Sequence, residues 1–275
     1  MDLRGNTAVA LWTVICVEGR VACAQDQDIS AMLHSNVLSH DRLADAVTVL
    51  LANKLATPFI GAMEVGTIMT EMFEADPEVE EIMAADILAH ALRDSDDGTD
   101  LLSVLLFHKG FHALATYRLA HWLWQQGRRQ LARFFQSVNS EVCAADIHPA
   151  SRIGRGIFLA SGCDVVIGET AVVGNNVIIH SGVTLGGTGK ERGDRHPKVA
   201  DGVQIGVSAS VLGNIKVGEG AHVGSCSVVV KEILPYTANK GVPSKLAGWL
   251  VCDVEAGGNL VAGQHPMMVV EATKK

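Results

Sequence analysis

Between residues 147 and 229 an aliphatic or small side chain recurs every six positions, and this period narrows the choice of fold more than any other feature of the chain. The series runs Ile147, Ile153, Leu159, Val165, Ala171, Val177 and Val183, then resumes as Val199, Ile205, Val211, Val217, Val223 and Val229. A period of six suits neither an α-helix, which repeats about every 3.6 residues, nor an alternating strand of a hairpin. It suits a triangular parallel β-helix, in which each hexad supplies one short strand and one turn and three hexads close a coil. The aliphatic residue then points into a narrow prism, and strands of successive coils stack about 4.8 Å apart. Several hexads place Gly directly after the aliphatic residue, as in Ile153-Gly154, Ile205-Gly206, Val217-Gly218 and Val223-Gly224, where the chain turns without a Cβ clash. The thirteen positions make a little over four coils. The step from Val183 to Val199 equals one hexad plus ten residues, so a ten-residue excursion leaves the stack there.

Upstream of residue 145 the pattern is helical. Leu43, Ala46, Val47, Leu50 and Leu51 share one face of an α-helix. Asp76-Pro77 followed by Glu78, Glu80 and Glu81 is a helix start, with a capping Asp, Pro in the first turn and acids at the positive end of the dipole. A further helical stretch lies between Lys109 and Gln136, where Trp122, Trp124 and Phe134 are packing residues. Ser95 to Thr99 reads as a polar loop between helices. Three segments are therefore expected: an α-helical oligomerisation domain over 1–145, a β-helix over 146–248 and a C-terminal tail over 249–275 that is largely mobile. The fold class is α+β, an N-terminal all-α domain followed by a left-handed parallel β-helix.

Composition excludes several functions. Hydrophobic residues make up 48% of the 275 residues and charged ones 19%, the balance of a folded globular chain. The net charge of −8 argues against nucleic-acid binding, which calls for a basic face. Cys16, Cys23, Cys143, Cys163, Cys226 and Cys252 are scattered without the clustered spacing of a metal site or a disulfide scaffold. They are expected to be reduced, mostly buried thiols in a cytoplasmic protein, and no metal is expected. Arg4, the apolar stretch Ala8 to Val17 and Ala22-Cys23-Ala24 loosely imitate a signal peptide. Glu18 and Arg20 interrupt that pattern, so a helix of a soluble protein is expected there, with no membrane span.

The motifs add a resemblance. Asp146-Ile147-His148-Pro149-Ala150-Ser151-Arg152-Ile153-Gly154, Gly168-Glu169-Thr170-Ala171-Val172, Val183-Thr184-Leu185-Gly186-Gly187-Thr188-Gly189-Lys190 and Gly193-Asp194-Arg195-His196-Pro197-Lys198 resemble the bacterial and plant serine acetyltransferases. Leu51 to Leu55, Lys109 to Ala113 and His121 to Trp124 resemble that family's helical domain, and the likeness spans roughly residues 10 to 248. The resemblance implies transfer of acetyl from acetyl-CoA, a co-substrate rather than a bound cofactor, to the L-serine hydroxyl, giving O-acetylserine for cysteine synthesis. It also implies a homotrimer with sites between neighbouring prisms, or a dimer of trimers joined through the helical domains. By the same resemblance Arg195 and His196 grip the serine carboxylate and line the site, and Asp94 lies near the family's serine-binding Asp. Asp146 matches the carboxylate that orients the catalytic histidine, and Gly187, Thr188, Val207 and Ser225 align with the acetyl-CoA groove. The excursion agrees on physical grounds. Lys190, Arg192, Arg195 and Lys198 outnumber Glu191 and Asp194, and Gly186, Gly187 and Gly189 let backbone N–H groups approach an acyl carrier and its phosphates.

One hexad departs from the family. Where the family carries Leu-Asp-His-Ala-Thr-Gly, this chain has Leu159-Ala160-Ser161-Gly162-Cys163-Asp164, so Ala160 replaces a substrate-binding Asp and Ser161 the general-base His. A positioned base contributes about 10²–10⁴-fold, so its loss raises the barrier by roughly 3–5 kcal/mol. The catalytic set expected is His196, Asp146 and Ser161. His196, Asp164 and His180 are the candidate substitutes for the missing base; His180 lies nineteen residues beyond position 161, one out of phase with an eighteen-residue coil. Three readings stay open: a serine O-acetyltransferase with altered or reduced catalysis, a weak paralogue acting as a structural or regulatory subunit, and a hexapeptide acyltransferase with another acceptor. The chain ends in Lys274-Lys275, so docking to cysteine synthase through a terminal Ile is not expected.

Overall fold

The structure is a computed structural model that describes residues 7–93, 99–160, 164–250 and, as backbone, 269–271. The chain divides into two compact units, residues 1–144 and 145–275.

Unit one holds α1 (Thr7–Gln25), α2 (Ser30–Leu33), α3 (Leu43–Leu55), α4 (Ala62–Ala75), α5 (Glu78–Ala91), α6 (Leu101–Phe107), α7 (Lys109–Gln125) and α8 (Arg129–Cys143), with a π-helical turn at His34–Leu38. The apolar face read for α3 is the buried one, with Leu43, Ala46, Val47 and Leu51 inside. Asp76 Oδ1 accepts from the Glu78 N–H at 3.3 Å at the start of α5, as its sequence predicts. The acids that follow also serve other helices. Glu80 accepts from the Ala44 N–H at the start of α3 (2.9 Å), and Glu81 from the Ala8 N–H at the start of α1 (3.3 Å). Glu18 of α1 does the same for Leu102 at the start of α6 (2.8 Å). Carboxylates brought from distant helices thus supply acceptors that free helix N-termini need.

The helical stretch expected between Lys109 and Gln136 is there, and it is divided between α7 and α8 because Gly127 takes a left-handed conformation (φ +77°) that ends α7. Trp122 is buried, and Trp124 lies half-buried beneath the Arg129 and Arg133 guanidinium groups, 5.2 and 5.7 Å from its ring centre. Among the described residues α1 is long and apolar enough, by length and composition alone, to cross a membrane. Its Leu11, Trp12 and Ile15 are nevertheless part of the core of this unit, while Val9, Val14, Val17 and Val21 are exposed. Of the free thiols described, Cys143 is buried, Cys16 and Cys23 are half-buried and Cys226 is exposed, so burial is less general than expected.

Unit two is the parallel β-helix. Its first face stacks β1 (Ala145–Ile147), β4 (Val165–Ile167), β7 (Thr184–Gly186), β10 (Ser210–Leu212) and β13 (Val228–Val229). The second stacks β2 (Arg152–Ile153), β5 (Val172–Val173), β8 (Lys198–Val199) and β11 (Lys216–Val217). The third stacks β3 (Phe158–Leu159), β6 (Ile178–Ile179), β9 (Gln204–Ile205), β12 (His222–Val223) and β14 (Thr237–Lys240). On that third face β15 (Lys245–Leu250) and β16 (Val269–Glu271) add antiparallel strands, so part of the segment expected to be a mobile tail is paired.

The register corrects the simple six-residue reading. Ile147 pairs with Ile167, Ile153 with Val173 and Leu159 with Ile179, so the first coil is twenty residues long. The next step from Val166 to Thr184 is eighteen. The strand-centre column therefore runs Ile147, Ile153, Leu159, then Ile167, Val173, Ile179 and Leu185, with two extra residues in the turn after Leu159. The sequence conceals this slip because the positions two residues upstream, Val165, Ala171, Val177 and Val183, are buried as well. Pairing of Val173 with Val199 spans twenty-six residues, so the excursion adds eight residues to a coil rather than ten.

In the helical unit His112 is fully buried with both ring nitrogens used. Nε2 lies 2.8 Å from the Leu105 carbonyl, and Nδ1 lies 2.7 Å from Lys54 Nζ. Nε2–H donates, Nδ1 accepts, and the ring is neutral. Burial, and then the Lys54 charge, push its pKa from 6.5 to about 4. The unfolded chain takes up this proton near 6.5 but the folded one only near 4, so the stability is complete above about pH 6.5 and declines as the pH falls towards 4. Urea denaturation is expected to show about 2 kcal/mol less stability at pH 5 than at pH 7 from this group. His112→Gln, which keeps one donor and one acceptor, is expected to flatten that dependence.

Candidate active site

The excursion leaves the prism at the edge between the first and second faces, after Gly186, and returns at Lys198. Its return is organised by Thr170, in the turn between β4 and β5. Thr170 Oγ1 accepts from the backbone N–H groups of Arg195 and His196, each at 3.1 Å. The same hydroxyl lies 2.9 Å from His196 Nδ1, and the Thr170 N–H lies 3.1 Å from that nitrogen. An oxygen already accepting two N–H groups gives its own proton to Nδ1, and a backbone N–H can only donate. Nδ1 is therefore a double acceptor, and the neutral imidazole carries its proton on Nε2. Burial, and then the neighbouring Arg195 cation, hold the His196 pKa below its ordinary value, which keeps the ring neutral. The ring lies against Gly168, where an added Cβ would collide with it.

Charges close the edge. Arg195 Nη2 donates to Glu169 Oε2 at 2.9 Å, and that bond holds the Glu169 carboxyl below its usual range. Lys198 Nζ donates to Asp194 Oδ1 (2.6 Å), to the His196 carbonyl (2.8 Å) and to the Thr170 carbonyl (2.9 Å). The Lys198 bond likewise lowers the Asp194 pKa. Two of the excursion's four cations are thus engaged within the edge. Lys190 and Arg192 are exposed and have no ion-pair partner among the described residues, so they are the cations available to a ligand's phosphates.

The other expected residues fall elsewhere. Val207 and Ser225 stand on the edge between the third and first faces, in the turns after β9 and β12, and both are exposed. Ala160 begins the lowest turn of that same edge, and Asp146 lies exposed on the first face in β1. Gly187, Thr188, Lys190, Arg195 and His196 are therefore gathered on one edge and Val207 and Ser225 on another, with the first face between them. Asp94 and Ser161 lie outside the described residues. Sequence reasoning did not single out Thr170 and Gly168, although both sit in the Gly168-Glu169-Thr170 motif; only the coil register shows that they face His196.

Comparison with known proteins places the chain in a family. Residues 11–116 match the family model described as serine acetyltransferase, N-terminal. The serine acetyltransferase of Escherichia coli K12 is 46% identical over 239 residues, covering 86% of this chain and 87% of the relative. The chain belongs to the serine acetyltransferase family. Soybean serine acetyltransferase solved in complex with serine superposes with a TM-score of 0.85 at 42% identity, over 88% of this chain and 99% of that one. The serine acetyltransferase of Brucella abortus S19 solved in complex with coenzyme A gives 0.84 at 41% identity, over 87% and 96%. The all-α and β-helical architecture expected from the sequence is that of this family.

Gly168→Ala tests the packing beneath His196. Displacing the ring is expected to lower acetyl transfer at least about 10²-fold, the usual penalty for a misplacement of about 1 Å. The melting temperature should stay close to that of the parent, because the substitution lies at a coil edge. Unchanged activity would show that the ring's seat on Gly168 is irrelevant.

Proposed function

We propose that this chain transfers the acetyl group of acetyl-CoA to the hydroxyl of L-serine, forming O-acetyl-L-serine for cysteine biosynthesis. The observation that carries the reading is the Thr170-centred edge, which presents the Arg195 guanidinium and a neutral His196 with its proton on Nε2. A cation and an N–H donor side by side suit a carboxylate, and serine carries one. Arg195 and His196 bind that carboxylate and line the pocket, and Asp94 falls near the family's serine-binding position. His196 acts as a donor here, since taking a proton at Nδ1 would sacrifice both Thr170 bonds. Lys190, Gly187 and Thr188 receive the acetyl donor, with Lys190 and Arg192 close to its phosphates.

The site is completed between two copies. Val207 and Ser225 stand across the first face from the excursion, so the acetyl-CoA groove forms where one copy's third-to-first edge meets a neighbour's first-to-second edge. A trimer of prisms satisfies this arrangement with closed symmetry. The exposed valines of α1 supply an apolar surface for pairing two trimers. Asp146, on the first face, supplies a carboxylate in the interprism groove.

In the reaction the serine Oγ attacks the thioester carbonyl, the C–S bond breaks, and the hydroxyl proton ends on the sulfur of coenzyme A. Ser161 is a hydroxyl and a poor base, so this chain turns over more slowly than a member with histidine at that position unless another base serves.

Two assays test the reading. Thiol release from acetyl-CoA should rise with L-serine and not with L-alanine, which lacks the hydroxyl. If L-serine produces no increase, the acceptor assignment is wrong. Arg195→Ala and Val207→Asp should each be inactive alone, while unfolding and refolding them together should recover part of the activity through interfaces that join two intact edges. No recovery in the mixture would contradict a site shared between copies.

A further inference from the structure

We propose that His180 is the general base of this chain, taking the serine proton at the edge where Ala160 stands. The proposal rests on the serine acetyltransferase reading above and names the residue that performs its proton transfer.

The coil register puts His180 in place. Phe158 pairs with Ile178 and Leu159 with Ile179, and the Ala160 N–H donates to the Ile179 carbonyl at 2.9 Å. Extending that register sets His180 one rung above Ala160, about 4.8 Å away along the stack. The twenty-residue first coil causes this alignment; an eighteen-residue coil would leave His180 out of step. The methyl group of Ala160 takes little of the space beside that rung. His180 shares its edge with Val207 and Ser225, so the imidazole and the proposed acetyl-donor groove belong to the same side of the prism.

The ring is also chemically available. His180 is half-buried, its imidazole packs edge-on against Phe158 with centroids 6.3 Å apart, and neither ring nitrogen has a hydrogen bond among the described residues. Burial holds its pKa below the ordinary value, so the ring is neutral near pH 7 and keeps a lone pair for the proton. The other described histidines of this unit are less suited. His196 has Nδ1 engaged by two donors and its proton on Nε2. His148 Nδ1 accepts the Ala150 N–H at 3.1 Å. His222 sits within β12 on the third face, opposite Gln204, rather than in a turn at the edge.

The step balances without any added reagent. A nitrogen lone pair of His180 takes the serine Oγ proton as Oγ bonds to the acetyl carbonyl carbon. The tetrahedral species collapses with loss of the C–S bond, and the proton passes from His180 to the departing sulfur.

The test uses the full chain and thiol release with saturating L-serine. His180→Ala and His180→Gln should each lower kcat about 10²-fold or more, with the KM for acetyl-CoA and the melting temperature little changed. His222→Ala should keep kcat within a few-fold of the parent. Adding Ala160→Asp and Ser161→His to the His180→Ala chain should restore turnover, because the pair that the family carries at these positions then supplies a base. Full activity in His180→Ala, or a loss that the two added substitutions fail to restore, overturns the assignment. If the unsubstituted chain shows no serine-dependent turnover, the serine reading itself falls and takes a serine base with it; parent turnover that persists in His180→Ala overturns the base alone.

Discussion

Parallel hydrogen bonding from each coil to the next decides which side chain stands above which, and the chemistry of this chain follows from that stacking. The inner columns are filled by aliphatic side chains, so each rung is held by burial as well as by main-chain bonds. A narrow prism of this kind has no room for an extra residue on a face. The two additions to the regular coil, two residues after Leu159 and eight between the first and second faces, accordingly occur at edges. Edges are where the backbone turns outward, and both additions place histidines there. The first sets His180 over Ala160; the second carries the excursion out and brings His196 back over Gly168.

Polar groups on these edges are specified by a few short bonds. One threonine hydroxyl, accepting from two backbone amides and donating to an imidazole, sets both the conformation of the Arg195-His196 segment and the tautomer of the ring. In the helical unit Lys54 and the Leu105 carbonyl do the same for His112. In each case an imidazole is kept neutral by burial together with a donor on Nδ1. The difference lies in what remains: His112 has no free ring position, whereas His196 keeps an Nε2–H to offer.

Much of this architecture was legible in the sequence because the six-residue period has few structural solutions. The helical half was legible at α3 and at the Asp76-Pro77 start of α5, where face periodicity and capping chemistry are local. What escaped was long-range or masked by redundancy. The two-residue slip was invisible because Val165 and Ile167, like Ala171 and Val173, are both apolar and both buried, so either column sustains the rhythm. The same slip made His180 look one position out of phase. Thr170 carried no signal of its own, since a threonine in a turn is commonplace until a histidine from the next coil is seen above it. The acids Glu80 and Glu81 read as dipole-end residues of their own helix and Glu18 as a break in an apolar stretch, and only tertiary structure shows that they also cap other helices. Of the candidate site, the Arg195-His196 edge was legible through its motif, while its separation from Val207 and Ser225 required the coil register.

In the proposed function two edges, contributed by two copies of the chain, enclose one acetyl-transfer site. A crystal structure of the full chain grown with coenzyme A and L-serine tests this arrangement. The pantetheine arm is expected between the Gly187–Lys190 segment of one copy and Val207 and Ser225 of its neighbour, with the serine carboxylate on Arg195 and His196. Coenzyme A bound wholly against a single copy, or away from the excursion, would contradict it.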